Sequence, residues 1–272
     1  MPTLPFYQID AFASKPFEGN QACVMPLDEF LPDETLQAIA AENNVAETAY
    51  IVPAGEGVWT LRWFTPTMEV PLCGHATLAA GHAIYAHLDY SGDGIAFDTV
   101  KSGRLSVTRH QDGQLEMSLP AYRIYELPIT DDIEAALGSR PVKAWGGAYY
   151  AALFDAPEDV IALNVDHAAL KPLGVEEAGW SLGNFGCFAP GGDNADVTSR
   201  VFGPGSGIDE DPATGSWHAM LAPIMKAQYG LDVMQCHQAH PGRGAYLGTH
   251  LEGDRVKLAG RSVTVIEGRF FL

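Results

Sequence analysis

Hydrophobic and polar residues alternate in short runs along the first half of the chain. Residues 6–12 have the period of two that is typical of a half-buried strand, and residues 22–25, 48–52 and 58–64 are also strand-like. Three more alternating runs lie between residues 95 and 119, and glycine-containing turns separate them. This half of the chain is therefore predicted to form a sheet of short strands.

Helical spacing of apolar residues appears at two places in the first half. Residues 32–42 carry Leu36, Ile39 and Ala40 on one side, and the run begins at a proline, which suits a first helical turn. Residues 74–87 consist mainly of small and apolar residues and predict a second, longer helix.

The second half repeats this mixture of elements. Strand-like runs are predicted at 143–153, 185–188 and 196–202, short helices at 157–163 and 166–170, and a long helix at 214–229; further strand-like segments alternate with turns to the end. Strands outnumber helices, and each half has about one long helix. We therefore expect an α+β fold with mostly antiparallel sheets.

An internal repeat relates the two halves. The pattern Arg-x-Phe-x-Pro occurs at 62–66 and at 200–204, each time followed by an acidic turn and then by a glycine, Gly74 or Gly215, that opens a predicted helix. Nearly the same spacing separates the two arginines and the two glycines, which favours a duplication. We expect pseudo-twofold-related halves, residues 1–120 and 121–261, with a cleft between them; the last strand, about 262–272, is expected to join the first half.

The repeated glycines point to an anion site. Backbone N–H groups are unpaired in the first turn of a helix, and the positive end of the helix dipole lies there. Gly74 and Gly215 would therefore each present N–H donors to a carboxylate. The alternative is that both glycines only permit tight turns between strand and helix.

Groups able to move protons surround these glycines. Glu47 stands at the entry to an apolar strand, where partial desolvation would raise the pKa of its carboxylate toward a value useful in a general base. Cys73 and His75 flank Gly74, and Asp211 and Ser216 flank Gly215. A solvated loop carboxylate and a core histidine are the alternative interpretations of Glu47 and His75.

Motifs for cofactors and metals are missing from the sequence. It contains no Walker A loop, no dinucleotide-binding glycine pattern after a strand and no nucleophile elbow. The pair Cys73-x-His75 offers two metal ligands without a visible third or fourth. The sequence therefore predicts acid–base chemistry without a cofactor or a bound metal.

Composition narrows the partners. With 16 Lys and Arg against 34 Asp and Glu, the formal net charge is −18, which excludes a general nucleic-acid binder and a basic membrane-binding segment. The four cysteines are widely spread, and the N-terminus has no signal-peptide pattern. We expect a cytoplasmic protein with reduced thiols that acts on a small carboxylate.

Several motifs, in order along the chain, carry a resemblance to the PhzF-like (phenazine-biosynthesis) family of the diaminopimelate-epimerase-like superfamily. They are DAF at 10–12, PFEGN at 16–20, ENN at 42–44, ETA at 47–49, RWFTP at 62–66, LCGHAT at 72–77, EDPATGS at 210–216 and GR at 242–243. The resemblance covers essentially the whole chain.

The resemblance implies two similar halves, each a sheet curled around a central helix, in a homodimeric, cofactor-free isomerase. The characterised member of the family isomerises trans-2,3-dihydro-3-hydroxyanthranilate by moving a proton between ring carbons. The glutamate that moves this proton matches Glu47, and the other catalytic positions match His75 and Asp211. The remaining matches are substrate-binding positions, and they are Asn20, Cys73, Gly74, Gly215 and Ser216.

Three positions depart from the family or superfamily pattern. Gln21 replaces a frequent proline, and Trp217 replaces a small residue, which would alter the pocket. Thr214 stands where two-cysteine epimerases of the superfamily carry their second cysteine. Two alternatives to the isomerase remain: a one-base epimerase or racemase using Cys73, and a protein that binds a small carboxylate without turnover.

Overall fold

The structure is a computed structural model that describes residues 3–177 and 179–272. The sequence predicts no signal peptide at the N-terminus. The first two residues of that segment lie outside the described residues. No helix in the described part of the chain is long and apolar enough to cross a membrane.

Strands and helices are numbered here in chain order. The strands are β1 Thr3–Ala11, β2 Asn20–Pro26, β3 Glu47–Gly55, β4 Val58–Phe64, β5 Glu69–Val70, β6 Gly94–Thr99, β7 Arg104–Arg109, β8 Leu115–Pro120, β9 Tyr125–Leu127, β10 Lys143–Gly146, β11 Tyr150–Leu153, β12 Phe185–Pro190, β13 Val197–Gly203, β14 Ile208–Asp211, β15 Val233–Gln238, β16 Ala245–Glu252, β17 Arg255–Gly260 and β18 Ser262–Phe271. The helices are α1 Asp33–Asn43, α2 Gly74–His87, α3 Asp131–Leu137, α4 Pro157–Ile161, α5 His167–Leu170 and α6 Gly215–Tyr229, and Pro204–Ser206 forms a 3₁₀ turn.

The chain divides into two compact units. Unit 1 runs to Ser118 and includes Ala259–Leu272, and unit 2 is Leu119–Leu258. The last strand, β18, thus belongs to unit 1 and not to the unit that precedes it along the chain.

Unit 1 is a mixed sheet around the helix α2. Strand β1 lies antiparallel between β18 and β2, β2 runs parallel to β3, and β3 is antiparallel to β4. Helix α2 packs against β1, β2 and β3. Its first eight residues are all buried, and alanines and glycines predominate, because small side chains let the helix backbone approach the strands closely. Helix α1 packs Leu36 and Ile39 against Met25, Tyr50 and Phe64.

Unit 2 repeats this arrangement around α6. Strand β11 runs parallel to β12, β12 is antiparallel to β13, and β13 runs parallel to β15. Ten residues of α6 are buried, starting with Gly215. A separate cluster of apolar side chains, including Leu137, Tyr150, Phe185 and Phe202, joins the short helices α3, α4 and α5 to the strands.

The repeated Arg-x-Phe-x-Pro motif has the same structure in both units. Arg62 on β4 forms a bidentate salt bridge with Glu69 on β5, with nitrogen–oxygen distances of 2.7 and 2.9 Å. Arg200 on β13 does the same with Glu210 on β14, at 2.8 and 2.8 Å. Each guanidinium also lies over the phenylalanine two positions later, 5.1 and 4.9 Å from the ring centre. The sequence repeat therefore corresponds to a structural one.

Three local predictions need correction. Residues 143–153 form two antiparallel strands, β10 and β11, because the chain turns at Gly146-Gly147. The expected acidic turn at 209–211 is the strand β14, which pairs with β13. Helix α3 was not predicted at all, although Thr130 caps it through a hydrogen bond from the Ile133 N–H.

Candidate active site

Four buried side chains of unit 1 meet where three elements begin. Asn20 is the first residue of β2, Glu47 the first of β3, and Cys73 and His75 flank the first residue of α2. Only 9% of Glu47 and 5% of His75 are exposed. These four residues are called the Glu47 cluster below, and each was predicted from the sequence as a site residue.

A glycine fixes the start of β2. Gly19 has a φ of +59°, and a Cβ there would lie 2.0 Å from the carbonyl oxygen of Ala11. Any other residue would therefore collide with the backbone of β1. The next residue, Asn20, pairs with Ala11, and Gln21 pairs with Asp10 in the same ladder. The departure from the family pattern at Gln21 thus leaves the strand intact.

Polar side chains contact both nitrogens of the His75 ring. The Asn20 amide nitrogen lies 3.2 Å from Nδ1, and Nε2 lies 2.9 Å from Oε2 of Glu47. The Asn20 amide and the Glu47 carboxylate therefore lie against different nitrogens of the same ring. The Cys73 sulfur lies 3.5 Å from Nδ1. His75 therefore links all the other members of the cluster.

Burial and charge act in opposite directions on His75. Burial disfavours the charged imidazolium, but the Cys73 sulfur and the Glu47 carboxylate together hold the pKa of His75 well above its ordinary value. Burial, followed by the Glu47 charge, raises the pKa of the Cys73 thiol to about 11. At neutral pH the Cys73 side chain is therefore an un-ionised thiol.

Unit 2 carries a second group of polar residues at the start of its central helix. The Thr214 hydroxyl donates to the carboxylate of Asp211, and the buried amide of Gln238 accepts from the Thr214 N–H at 2.9 Å. The Ser216 hydroxyl lies 2.8 Å from the hydroxyl of Tyr149, which is also buried. These five residues are called the Asp211 cluster.

Trp217 contacts this cluster through Tyr149. Its side chain is fully buried, and a Cβ at Gly186 would lie 2.2 Å from its ring. The indole contacts Tyr149 edge to face, with ring centres 5.8 Å apart. The expected effect on the pocket is therefore indirect: Gly186 makes room for Trp217, which supports Tyr149 behind Ser216.

Sequence reasoning did not nominate Tyr149 or Gln238. Tyr149 lies in an irregular turn after two glycines, and Gln238 ends a strand far along the chain from Thr214. Nothing in the local pattern distinguishes either residue from an ordinary buried polar side chain. Their roles depend on contacts between distant segments, which a single sequence does not reveal.

The helix starts agree with expectation. Gly74 and Gly215 are the first residues of α2 and α6, each of which is long enough to have a substantial dipole. Glu47, Cys73 and His75 could also hold a metal, since one donor atom from each lies within 4.8 Å of the others.

Comparison with known proteins identifies the fold class first. The chain superposes on a hydroxyproline epimerase from Agrobacterium vitis, solved with trans-4-hydroxy-L-proline bound, with a TM-score of 0.64. The match covers 99% of this chain and 91% of the epimerase at 12% identity, so it bears on the fold alone. The predicted α+β fold of the diaminopimelate-epimerase type is confirmed.

Closer relatives then define the family. The phenazine biosynthesis-like family PhzC-PhzF matches residues 9–268. A PhzF-family crystal structure from Enterococcus faecalis has a TM-score of 0.92 and 34% identity, with both chains covered completely. An uncharacterized isomerase of Pseudomonas aeruginosa is 42% identical over 276 residues, covering 99% of both chains. The chain belongs to the PhzC-PhzF family, and the prediction of an isomerase is confirmed.

Proposed function

We propose that this isomerase moves a proton between two carbon atoms of a small carboxylate, without a cofactor, with Glu47 as the group that carries the proton. The Glu47 carboxylate takes a proton from one carbon, the electron pair shifts along the substrate, and Glu47 returns the proton to another carbon. The observation that carries the proposal is the buried contact of 2.9 Å between Glu47 and His75.

His75 assists in this scheme. Its raised pKa favours the charged form of the ring, which would place a positive charge 2.9 Å from the Glu47 carboxylate. The Asn20 amide keeps the ring in one orientation. Such an arrangement has the parts of a general base and an orienting partner.

The state of Cys73 supports Glu47 over a cysteine base. A thiol whose pKa is raised to about 11 is almost entirely protonated at neutral pH. It would be a poor base in a one-base epimerase. We infer that Cys73 shapes the site and does not take the substrate proton.

The substrate carboxylate is assigned to backbone N–H groups. The first turn of α2, at Gly74, would provide donors that are complementary to an anion, and the family resemblance gives Gly215, at the first turn of α6, the same role. Ser216 would add a hydroxyl donor, and Asp211 would assist the second proton transfer. These roles rest on the family resemblance and on the hydrogen bonds that join Thr214 to Asp211 and Gln238.

The test is solvent deuterium exchange. Small cyclic and amino carboxylates are first screened by thermal shift, and those that bind are incubated with the enzyme in D₂O and followed by NMR. Glu47→Gln should lower exchange and turnover by about 10²- to 10⁴-fold, because the base is lost and the shape is kept. Glu42→Gln, on the exposed face of α1, is the matched control and should have no effect.

Three outcomes would reject the proposal. Exchange by Glu47→Gln at the wild-type rate would remove Glu47 from the mechanism. A ligand that binds tightly to the wild type without any exchange would favour a binding protein. Loss of exchange in Cys73→Ala with full activity in Glu47→Gln would favour the one-base epimerase.

A homodimer and a cytoplasmic location stay predictions of the family resemblance and of the composition. Light scattering on the purified protein measures the first, and cell fractionation the second.

A further inference from the structure

The Glu47 cluster combines three kinds of metal-ligand atom in one buried place. Glu47 offers a carboxylate oxygen, Cys73 a sulfur and His75 an imidazole nitrogen, and all three residues are buried. The sequence alone shows only Cys73 and His75, two residues apart. The third donor comes from the start of β3, which the fold brings to the first turn of α2.

Distances within the cluster are close to those of a tetrahedral zinc site. Zn–S bonds of about 2.3 Å and Zn–N or Zn–O bonds of about 2.0 Å at tetrahedral angles separate sulfur from nitrogen by about 3.6 Å, and nitrogen from oxygen by about 3.3 Å. The Cys73 sulfur lies 3.9 Å from Nε2 of His75, and Nε2 lies 2.9 Å from Oε2 of Glu47. Because the sulfur also lies 3.5 Å from Nδ1, the Cys73 side chain or the His75 ring must rotate before the sulfur and Nε2 can bind one ion.

We propose that Glu47, Cys73 and His75 form a binding site for a single thiophilic divalent cation, Zn²⁺ in the first place, with a fourth position open to water or a small ligand. The sulfur and nitrogen donors select such an ion over Mg²⁺ and Ca²⁺, which prefer oxygen ligands in greater number. Among the described residues, no other group of three such donors lies this close together.

Asn20 is the outer partner of this site. A metal on Nε2 requires a proton on Nδ1, which then needs an acceptor. The Asn20 side chain lies 3.2 Å from Nδ1, and a half-turn of its amide would present the oxygen there in place of the nitrogen. The same residue can therefore orient the ring in both the metal-free and the metal-bound form.

The cation and the proposed reaction exclude each other. A metal would take the oxygen lone pair with which Glu47 accepts a proton. This consequence therefore rests on the proposed function. The metal would also replace the Nε2 proton of His75. The metal-bound enzyme is thus an inhibited state, and removal of the ion restores activity.

Cobalt spectroscopy tests the site without any substrate. The metal-free protein is titrated with Co²⁺, and the absorption bands of a sulfur–cobalt bond and of tetrahedral cobalt are recorded. We expect one ion per chain and displacement of the bands by Zn²⁺. Cys73→Ala should abolish the sulfur band, whereas Cys23→Ala, which removes another buried thiol of the same unit, should retain it.

Glu47→Gln provides a second variant that keeps the thiol. It should weaken cobalt binding at least about tenfold while the sulfur band remains at saturation. The proposal is overturned if the wild type shows no sulfur band, if the band survives in Cys73→Ala, or if Glu47→Gln binds as tightly as the wild type. Circular dichroism of each variant checks that it is folded.

Inhibition is measured separately from binding. One equivalent of Zn²⁺ should suppress deuterium exchange by at least about tenfold, and a chelator should restore it. Binding with undiminished exchange would overturn the inhibited state and the role of Glu47, while the spectroscopic result would still establish the site. Failure of the site and failure of the proposed function are therefore distinguishable.

Discussion

The pKa values of His75 and His218 shift in opposite directions although each residue lies in the first turn of its unit's central helix. His75 faces Glu47 across 2.9 Å, and its pKa is raised. His218 is fully buried with its Nδ1 donating to the Thr214 carbonyl at 2.8 Å, and burial lowers its pKa to about 4. The neighbours Cys73 and Glu47, which His218 lacks, make the difference, and not the depth of burial.

His218 should make the protein sensitive to acid. Its pKa is about 4 in the folded state and about 6.5 in the unfolded state, so unfolding takes up a proton between these values. Its contribution to stability is complete above pH 6.5 and is lost as the pH falls through 4. Lowering the pH from 7.5 to 5 should cost about 2 kcal/mol through this residue alone.

The measurement is urea unfolding at several pH values. In His218→Gln the free energy of unfolding should fall less steeply between pH 7.5 and 5 than in the wild type, whatever the variant's stability at pH 7.5. His110→Gln, at an exposed position, is the control and should keep the wild-type slope. Equal slopes in all three proteins would contradict the assignment.

At the scale of single residues, the sequence predicted the candidate proton-transfer residues better than it predicted the residues that hydrogen-bond to the candidate site residues. Glu47 and His75 could be found because a strand and a helix visibly begin there. Asn20 entered only through the family resemblance, and Tyr149 and Gln238 were missed. Each of these three residues acts through a partner at least 24 positions away, and local patterns carry no information about such contacts.

Arg200 joins three elements of unit 2. Besides its contact with Glu210, its Nη1 donates to the carbonyl oxygens of Ile161 and Leu163 at the end of α4, at 3.1 and 2.7 Å. Its counterpart Arg62 reaches an exposed carboxylate, Asp33, instead. The same motif therefore closes a helix end in one unit and contacts the surface in the other.

Arg200→Met should destabilise the protein much more than Arg62→Met. The first change leaves a buried carboxylate and helix-end carbonyls without partners and should cost about 3–5 kcal/mol. The second leaves more accessible groups that water can solvate. Urea unfolding measures both, and addition of Glu210→Gln to Arg200→Met should recover part of the loss. Equal costs for the two arginines would contradict this account.

Gly186 on β12 should tolerate no side chain. A methyl group there would overlap the buried Trp217 ring, so Gly186→Ala should destabilise unit 2 by about 1–3 kcal/mol. It should also lower activity, because Trp217 supports Tyr149 against Ser216. Unfolding curves and exchange rates measure the two effects.

A matched glycine and a compensating change complete this experiment. Gly268→Ala, in the strand β18 with no atom within 4 Å of the added carbon, should be close to neutral. Gly186→Ala combined with Trp217→Leu should be more stable than Gly186→Ala alone. A neutral Gly186→Ala would show that β12 and α6 can separate without cost.

Hydrophobic periodicity predicted elements well where one helix or strand has a continuous pattern. Helix α2 and strand β4 have the predicted boundaries. The failures occur where a turn interrupts an apolar run, as at Gly146-Gly147, or where a short helix has few apolar residues, as in α3. Parallel pairing of β2 with β3 was not predicted, although the two strands are joined by the helix α1, which is the usual pattern of a parallel crossover.

For the whole molecule, the net charge of −18 means that acidic groups repel one another in the folded state. Raising the ionic strength from about 10 to 150 mM shortens the Debye length from about 30 to 8 Å and weakens this repulsion. The thermal midpoint should therefore rise by a few degrees. A rise that is the same for sodium and tetramethylammonium chloride indicates screening, whereas a fall would show that ion pairs dominate.

The position of β18 has a consequence for biosynthesis. Unit 2 is a continuous stretch of chain, but the first strand of unit 1 pairs along its whole length with residues 262–271. On the ribosome, the N-terminal segment therefore appears first yet has an open edge until the last strand emerges. The unit that is synthesised first is the one that is completed last.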